Sequence, residues 1–143
     1  MREVALFING VYESALREVV AIQQVLPEQI MFLQPHGSRY MKELRADPPS
    51  VDDPMRLFIS PTVDLSRVHY EAEIVGWDDK AHLSAERRGV LERVVNALQP
   101  GEHGIYDLAH SPNGVSVNLL HVRRMRQLDT PMDVGQLVKT KDG

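Results

Sequence analysis

The sequence contains no cysteine, and this absence excludes disulfide scaffolds, thiolate zinc sites and cysteine nucleophiles. No apolar run approaches the roughly 20 residues that a transmembrane helix needs, and Glu3 interrupts the region that a signal peptide would make basic. There is no internal repeat and no low-complexity segment. We therefore predict one domain, 1–143, either alone or as a part of a longer chain, in a cytoplasmic protein with no membrane partner.

Motifs of the common catalytic and cofactor sites are also absent. The chain has no GxSxG, GxxxxGK, GxGxxG or HExxH. Its six histidines form no pair at the i, i+2 or i, i+4 spacing that holds a metal ion locally. This absence predicts a binding protein rather than an enzyme, with no metal and no cofactor.

The charge is low in total but uneven along the chain. A net charge of −4 argues against a protein that coats nucleic acid by bulk electrostatics. Basic residues nevertheless cluster around Lys42 and again at Arg123, Arg124 and Arg126. A local basic face of this kind permits binding at a specific site.

The hydrophobic pattern predicts an α+β fold. An apolar run over 4–8 stops at Asn9-Gly10 and indicates a buried strand, and further strands are expected at 30–35, 56–60, 68–77, 104–108 and 115–125. Helices are expected from Ser14 to the residue before Pro27, over 38–46 and over 84–98.

The strand over 68–77 has the clearest alternation in the sequence. Even-numbered apolar positions from Val68 to Ile74 alternate with polar ones, which predicts one buried and one solvated face. Trp77 lies in phase with the solvated face. A change of alternation around Leu119-Leu120 predicts a β-bulge in the last long strand.

Two segments carry a resemblance to a known family. Leu57-Phe58-Ile59-Ser60 is followed by Tyr70-Glu71-Ala72-Glu73-Ile74-Val75, and Val122-Arg123-Arg124-Met125 is followed by Pro131 and a short helical ending with Leu137-Val138-Lys139. This order resembles the PUA-like superfamily, whose EVE-type domains have ASCH and YTH relatives. The resemblance implies a small curved sheet or β-barrel with flanking helices. It also implies a role in binding a modified base flipped out of a nucleic acid.

A base pocket needs an aromatic surface for stacking, polar groups for the base edge and cations for the phosphates. Trp77, the only tryptophan, is the predicted pocket wall, with plain packing at the barrel mouth as the alternative. The other ligand-binding candidates lie in predicted loops and strand ends, with turn formation and helix capping as their alternative roles: Asn9, Tyr12, Gln34, His36, Ser38, Arg39, Tyr40, Ser60 and Thr62. Arg124, Arg126 and Lys42 are the predicted phosphate contacts.

Three functions follow as hypotheses. The first is a reader of DNA or RNA that carries a modified base, acting as the specificity domain of a restriction or defence system with catalysis in a fused or associated nuclease. The second is an ASCH-type hydrolase or nuclease that uses Glu71, Glu73 or His69. The third is a protein-interaction domain.

Overall fold

The computed structural model describes residues 2, 4–11, 13–33, 44, 46–79, 84–86 and 118–137. The helices predicted over 38–46 and 84–98 fall largely outside these residues, and the strand predicted over 104–108 falls entirely outside them. None of the described helices is long and apolar enough to cross a membrane.

The described residues form one helix and one mixed five-stranded sheet. Along the chain the elements are β1 (Leu6–Val11), α1 (Glu13–Val25), β2 (Met31–Leu33), β3 (Met55–Pro61), β4 (Arg67–Asp79) and β5 (Asn118–Asp133), followed by a single 3-10 turn (Val134–Gln136). The predicted α+β class is confirmed. Helix α1 begins at Glu13, so Ser14 lies inside the helix and not at the predicted cap position.

The strand order is β1-β3-β4-β5-β2, with β1 and β3 parallel and all other neighbours antiparallel. In this arrangement β1 and β2 are the two edges. The described strands therefore form an open sheet, and not the closed barrel that was one of the two expected forms.

One face of the sheet, here called the inner face, packs against α1. Leu16 and Val19 of the helix are fully buried in a cluster with apolar side chains from all five strands, including Leu57, Ile74 and Leu120. Burial of such side chains contributes about 1.5–3 kcal/mol each. The opposite surface, here called the outer face, carries the polar and aromatic residues that alternate with this core.

Strand β4 confirms the predicted alternation over its first half but not at its end. Residues 68, 70, 72 and 74 are all buried on the inner face. The register then shifts between Ile74, which pairs with Val122, and Gly76. The extra residue, Val75, moves Trp77 into phase with the core, where it pairs with buried Leu120 and packs against the hydrophobic cluster. The prediction that Trp77 lies on the solvated face is therefore wrong.

Strand β5 contains a bulge, but four residues beyond the predicted position. Pairing is regular at Leu119 and Leu120. Between the pairs Glu71–Arg126 and Glu73–Arg123, β5 has one residue more than β4. Arg124 lies in this bulge with a φ of 55°, a conformation that non-glycine residues seldom adopt.

A buried side-chain amide bridges the bulge. Gln23 of α1 is 2% exposed and donates through Nε2 to the carbonyl oxygen of Val122 at 2.9 Å and of Gln29 at 2.7 Å. Its Oε1 accepts from the backbone amide of Met125 at 2.8 Å. Because β2 pairs with β5 only as far as Val122, the Gln23 amide takes the place of a neighbouring strand at the bulge.

Candidate functional site on the outer face

The half of the outer face formed by β1 and β3 is aromatic. Phe7 and Phe58 are register partners on these parallel strands, and both remain partly exposed. Their neighbours in sequence, such as Leu57 and Ile59, are buried on the inner face. Alternation along the two strands therefore puts both phenylalanine rings on the outer face, side by side.

Arg56 lies over one of these two rings, that of Phe58. Its Cζ atom is 6.0 Å from the centroid of the Phe58 ring, at the outer limit of a cation–π contact. Arg56 is exposed and shares the outer face with Phe58, two residues further along β3. We call Phe7, Phe58 and Arg56 the platform.

Arg56 differs from the other arginines in the described part of the chain. Seven arginines lie there, and six of them form an ion pair with a carboxylate. Arg56 has no carboxylate within ion-pair distance among the described residues, although its register partner on β4 is Glu73. None of the described carboxylates therefore competes with an external anion or aromatic ring for its guanidinium group.

The half of the outer face formed by β4 and β5 is a network of ion pairs. Arg123, which is 8% exposed, donates to Glu73 Oε1 at 3.0 Å. Arg124 donates to Glu73 Oε2 at 3.2 Å and to Glu28 Oε1 at 2.6 Å. The hydrogen bonds to Glu28 and then to Glu73 raise the pKa of the Arg124 guanidinium, so this side chain keeps its charge and its carboxylate partners.

This network accounts for the residues that were predicted to contact phosphates on β5. Arg126 donates to Glu71 Oε1 at 2.5 Å, and Arg124 is held by two carboxylates as described above. Sequence reasoning missed Arg56 and Phe58, although their spacing of two residues in the strand Arg56–Ser60 is the signal that puts them on one face. Among the seven described arginines, the one without a carboxylate partner thus lies on β3 and not on β5.

At the end of the outer face near the start of β4, a histidine is oriented by an aspartate. His69 Nε2 lies 2.9 Å from Asp64 Oδ2, and Ser66 Oγ donates to Asp64 Oδ1 at 2.9 Å. The hydrogen bond from His69 and then that from Ser66 lower the pKa of Asp64 below its ordinary value. Asp64 is therefore ionised at neutral pH and acts only as an acceptor.

Two buried hydroxyl groups lie near this end of the sheet. Ser60 Oγ, in a residue with no exposed surface, has no hydrogen-bond partner among the described residues, and Tyr70 Oη on the inner face has only a weak contact with the Arg17 guanidinium. Burial raises the pKa of Tyr70, and the negative charge of Glu13 adds to the effect. An unpaired buried hydroxyl lowers the free energy of unfolding by about 1–3 kcal/mol, so this end of the sheet is less stable than it would be with the hydroxyl paired.

A second His–Asp pair lies at the opposite end of the outer face. His121 Nε2 is 2.6 Å from Asp78 Oδ2, and both side chains are less than one-fifth exposed. The imidazole packs against Gly76, where an added Cβ would come within 2.6 Å of His121 Nδ1. Gly76 is therefore required for the close approach of this ring.

The register separates Trp77 from the other predicted pocket residues that the structure describes. Asn9 pairs with Ser60, and Thr62 donates its amide to Val11, so these positions share the end of the sheet that holds Tyr70. Trp77 lies seven residues further along β4, about 20 Å away. A single pocket cannot include both groups. The candidates Tyr12, Gln34, His36, Ser38, Arg39, Tyr40 and Lys42 lie outside the described residues.

The geometry also bears on the residues considered for hydrolysis. Glu71 and Glu73 accept hydrogen bonds from arginines, and His69 is bound to Asp64. His69 and Glu73 are four residues apart on one strand, about 13 Å, which is too far for direct proton transfer.

Within the described residues no group of three or more His, Asp or Glu side chains is placed to hold a metal ion.

Comparison of the chain with protein-family models, with curated proteins and with solved structures found no match.

Proposed function

We propose that the chain is a nucleic-acid-binding module that holds one unpaired or flipped-out base of DNA or RNA on the platform. The observation that carries the proposal is Arg56, an exposed cation that lies over the Phe58 ring and has no carboxylate partner within the described part of the chain. Proteins that bind single-stranded nucleic acid combine such a cation with aromatic faces on which bases stack.

The pairing of charges on the outer face, and not its net charge, supports this proposal. The carboxylates of Glu28, Glu71 and Glu73 are bound to the three arginines of β5, and Asp64 and Asp78 are bound to histidines at the two ends of the face, so none of these carboxylates holds Arg56. Stacking on an aromatic side chain contributes about 1–3 kcal/mol per base. The same proposal includes a relation to PUA-like domains, which the order of the elements supports. It also includes recognition of a modified base and a role as the specificity domain of a restriction or defence system, which that relation implies.

Replacing Arg56 by glutamine is expected to weaken binding of a fluorescein-labelled twelve-nucleotide single strand about 5- to 10-fold at low salt. Loss of one phosphate contact should also reduce the slope of log affinity against log salt by about 0.7. Fluorescence anisotropy at several salt concentrations measures both quantities.

The matched control is Arg17→Gln, which removes the same charge from an exposed position on α1, on the other side of the sheet. This variant should keep the wild-type affinity within about twofold. Equal losses in the two variants, or no binding of any strand by the wild-type protein, would overturn the proposal.

A further inference from the structure

His69 is placed to read the edge of a base that stacks on the platform. Phe58 pairs with Glu71, and His69 lies two residues from Glu71 on the same face of β4. His69 is therefore the diagonal neighbour of Phe58, with about 7–8 Å between the two positions. A ring stacked on Phe58 would turn one edge toward the imidazole.

The hydrogen bond to Asp64 determines which nitrogen of His69 carries the proton. Because the ionised Asp64 carboxylate can only accept, His69 Nε2 must donate across the 2.9 Å contact. In a neutral imidazole the other nitrogen, Nδ1, is then an acceptor. Among the described residues Nδ1 has no hydrogen-bond partner, and the side chain is 23% exposed.

From this geometry we infer that the site prefers bases with an exocyclic amino group, adenine and cytosine, over their carbonyl counterparts, hypoxanthine and uracil. The inference rests on the proposed function. An amino group donates a hydrogen bond to His69 Nδ1. A carbonyl oxygen at the same position is an acceptor, like Nδ1, so the two atoms form no hydrogen bond. Base-edge contacts of this kind carry the sequence preference, while the platform supplies affinity for any base.

The test uses labelled single strands of twelve thymidines in which one central nucleotide is deoxyadenosine, deoxyinosine, deoxycytidine or deoxyuridine. We expect the wild-type protein to bind the adenine strand about five- to tenfold more tightly than the hypoxanthine strand, and cytosine over uracil by a similar factor. His69→Leu should bind all four strands with the affinity of the carbonyl members.

The variant Asp64→Asn distinguishes a direct hydrogen bond between His69 and the base edge from a merely structural role of His69. In this variant Oδ1 can still accept from Ser66, and the new amide nitrogen faces His69 Nε2. The amide donates, so Nε2 becomes the acceptor and Nδ1 carries the proton. The preference should therefore invert, with hypoxanthine and uracil bound more tightly than adenine and cytosine.

The two levels of the proposal fail differently. If no strand binds the wild-type protein, or if Phe58→Leu leaves the affinity for every strand unchanged, the platform itself is refuted. If the wild-type protein binds all four strands equally and Phe58→Leu weakens its affinity for all of them, base binding on the platform is supported and the role of His69 is refuted. A preference that survives unchanged in Asp64→Asn also refutes it.

Discussion

Replacing Gln23 by methionine is expected to lower the free energy of unfolding by about 3–5 kcal/mol. Methionine has a similar length and volume, so the core stays filled. The substitution removes the side-chain partners of the Val122 carbonyl and the Met125 amide, two buried backbone groups at and next to the bulge in β5. Each such group left unpaired costs about 1–3 kcal/mol. Urea unfolding followed by circular dichroism measures the change.

The control for this prediction is the next residue of α1. Gln24 is exposed, so Gln24→Met changes the same chemical groups without touching the bulge. Its effect should stay within about 0.5 kcal/mol. If the two variants unfold at the same urea concentration, the Gln23 amide does not stabilise the bulge.

The second large effect is expected in Glu73→Gln, which should cost about 2–3 kcal/mol of stability. Glu73 accepts from both Arg123 and Arg124, and Arg123 is almost fully buried. Removing the carboxylate leaves a buried guanidinium group without its closest countercharge. Thermal or urea unfolding measures this loss.

Glu71→Gln is the matched control, since Glu71 lies two residues away on the same face but pairs with the exposed Arg126. An exposed pair contributes about 0–1 kcal/mol, so this variant should be nearly as stable as the wild type. The comparison also bears on the hydrolase hypothesis. Turnover of RNA or acylated nucleosides that disappears in Glu73→Gln while its stability is unchanged would contradict a structural role for Glu73.

Period-two alternation predicted much of the sheet because burial on one face imposes that period on any strand. The pattern identified the inner positions of β4, and the apolar run in β1 and the short strand β2 were also found. The predicted turn at Asn9-Gly10 was wrong, because β1 continues through these residues to Val11 and stays paired with β3. The positions of the bulges could not be predicted, because they depend on contacts between elements. The bulge at Arg124 depends on Gln23, a residue about 100 positions earlier.

The same long-range dependence limited prediction of the site. One inserted residue, Val75, was enough to turn Trp77 from the solvated face to the core. The arginines of β5 form a basic cluster in the sequence, but pairing of β5 with β4 brings them beside glutamates. Arg56 is the one basic residue of β3, so the sequence shows no basic cluster there. Only the register shows that the carboxylate opposite it, that of Glu73, is already bound to other arginines.

Nuclear magnetic resonance of the ¹⁵N-labelled protein, titrated with the strand that carries one central deoxyadenosine, tests most directly where a base is held. The platform account predicts shifts of the backbone amides of Phe7, Arg56 and Phe58, while the indole signal of Trp77, about 20 Å along β4 from the Tyr70 end of the sheet, stays in place. A shift of the Trp77 indole with unmoved amides in β1 and β3 would contradict it.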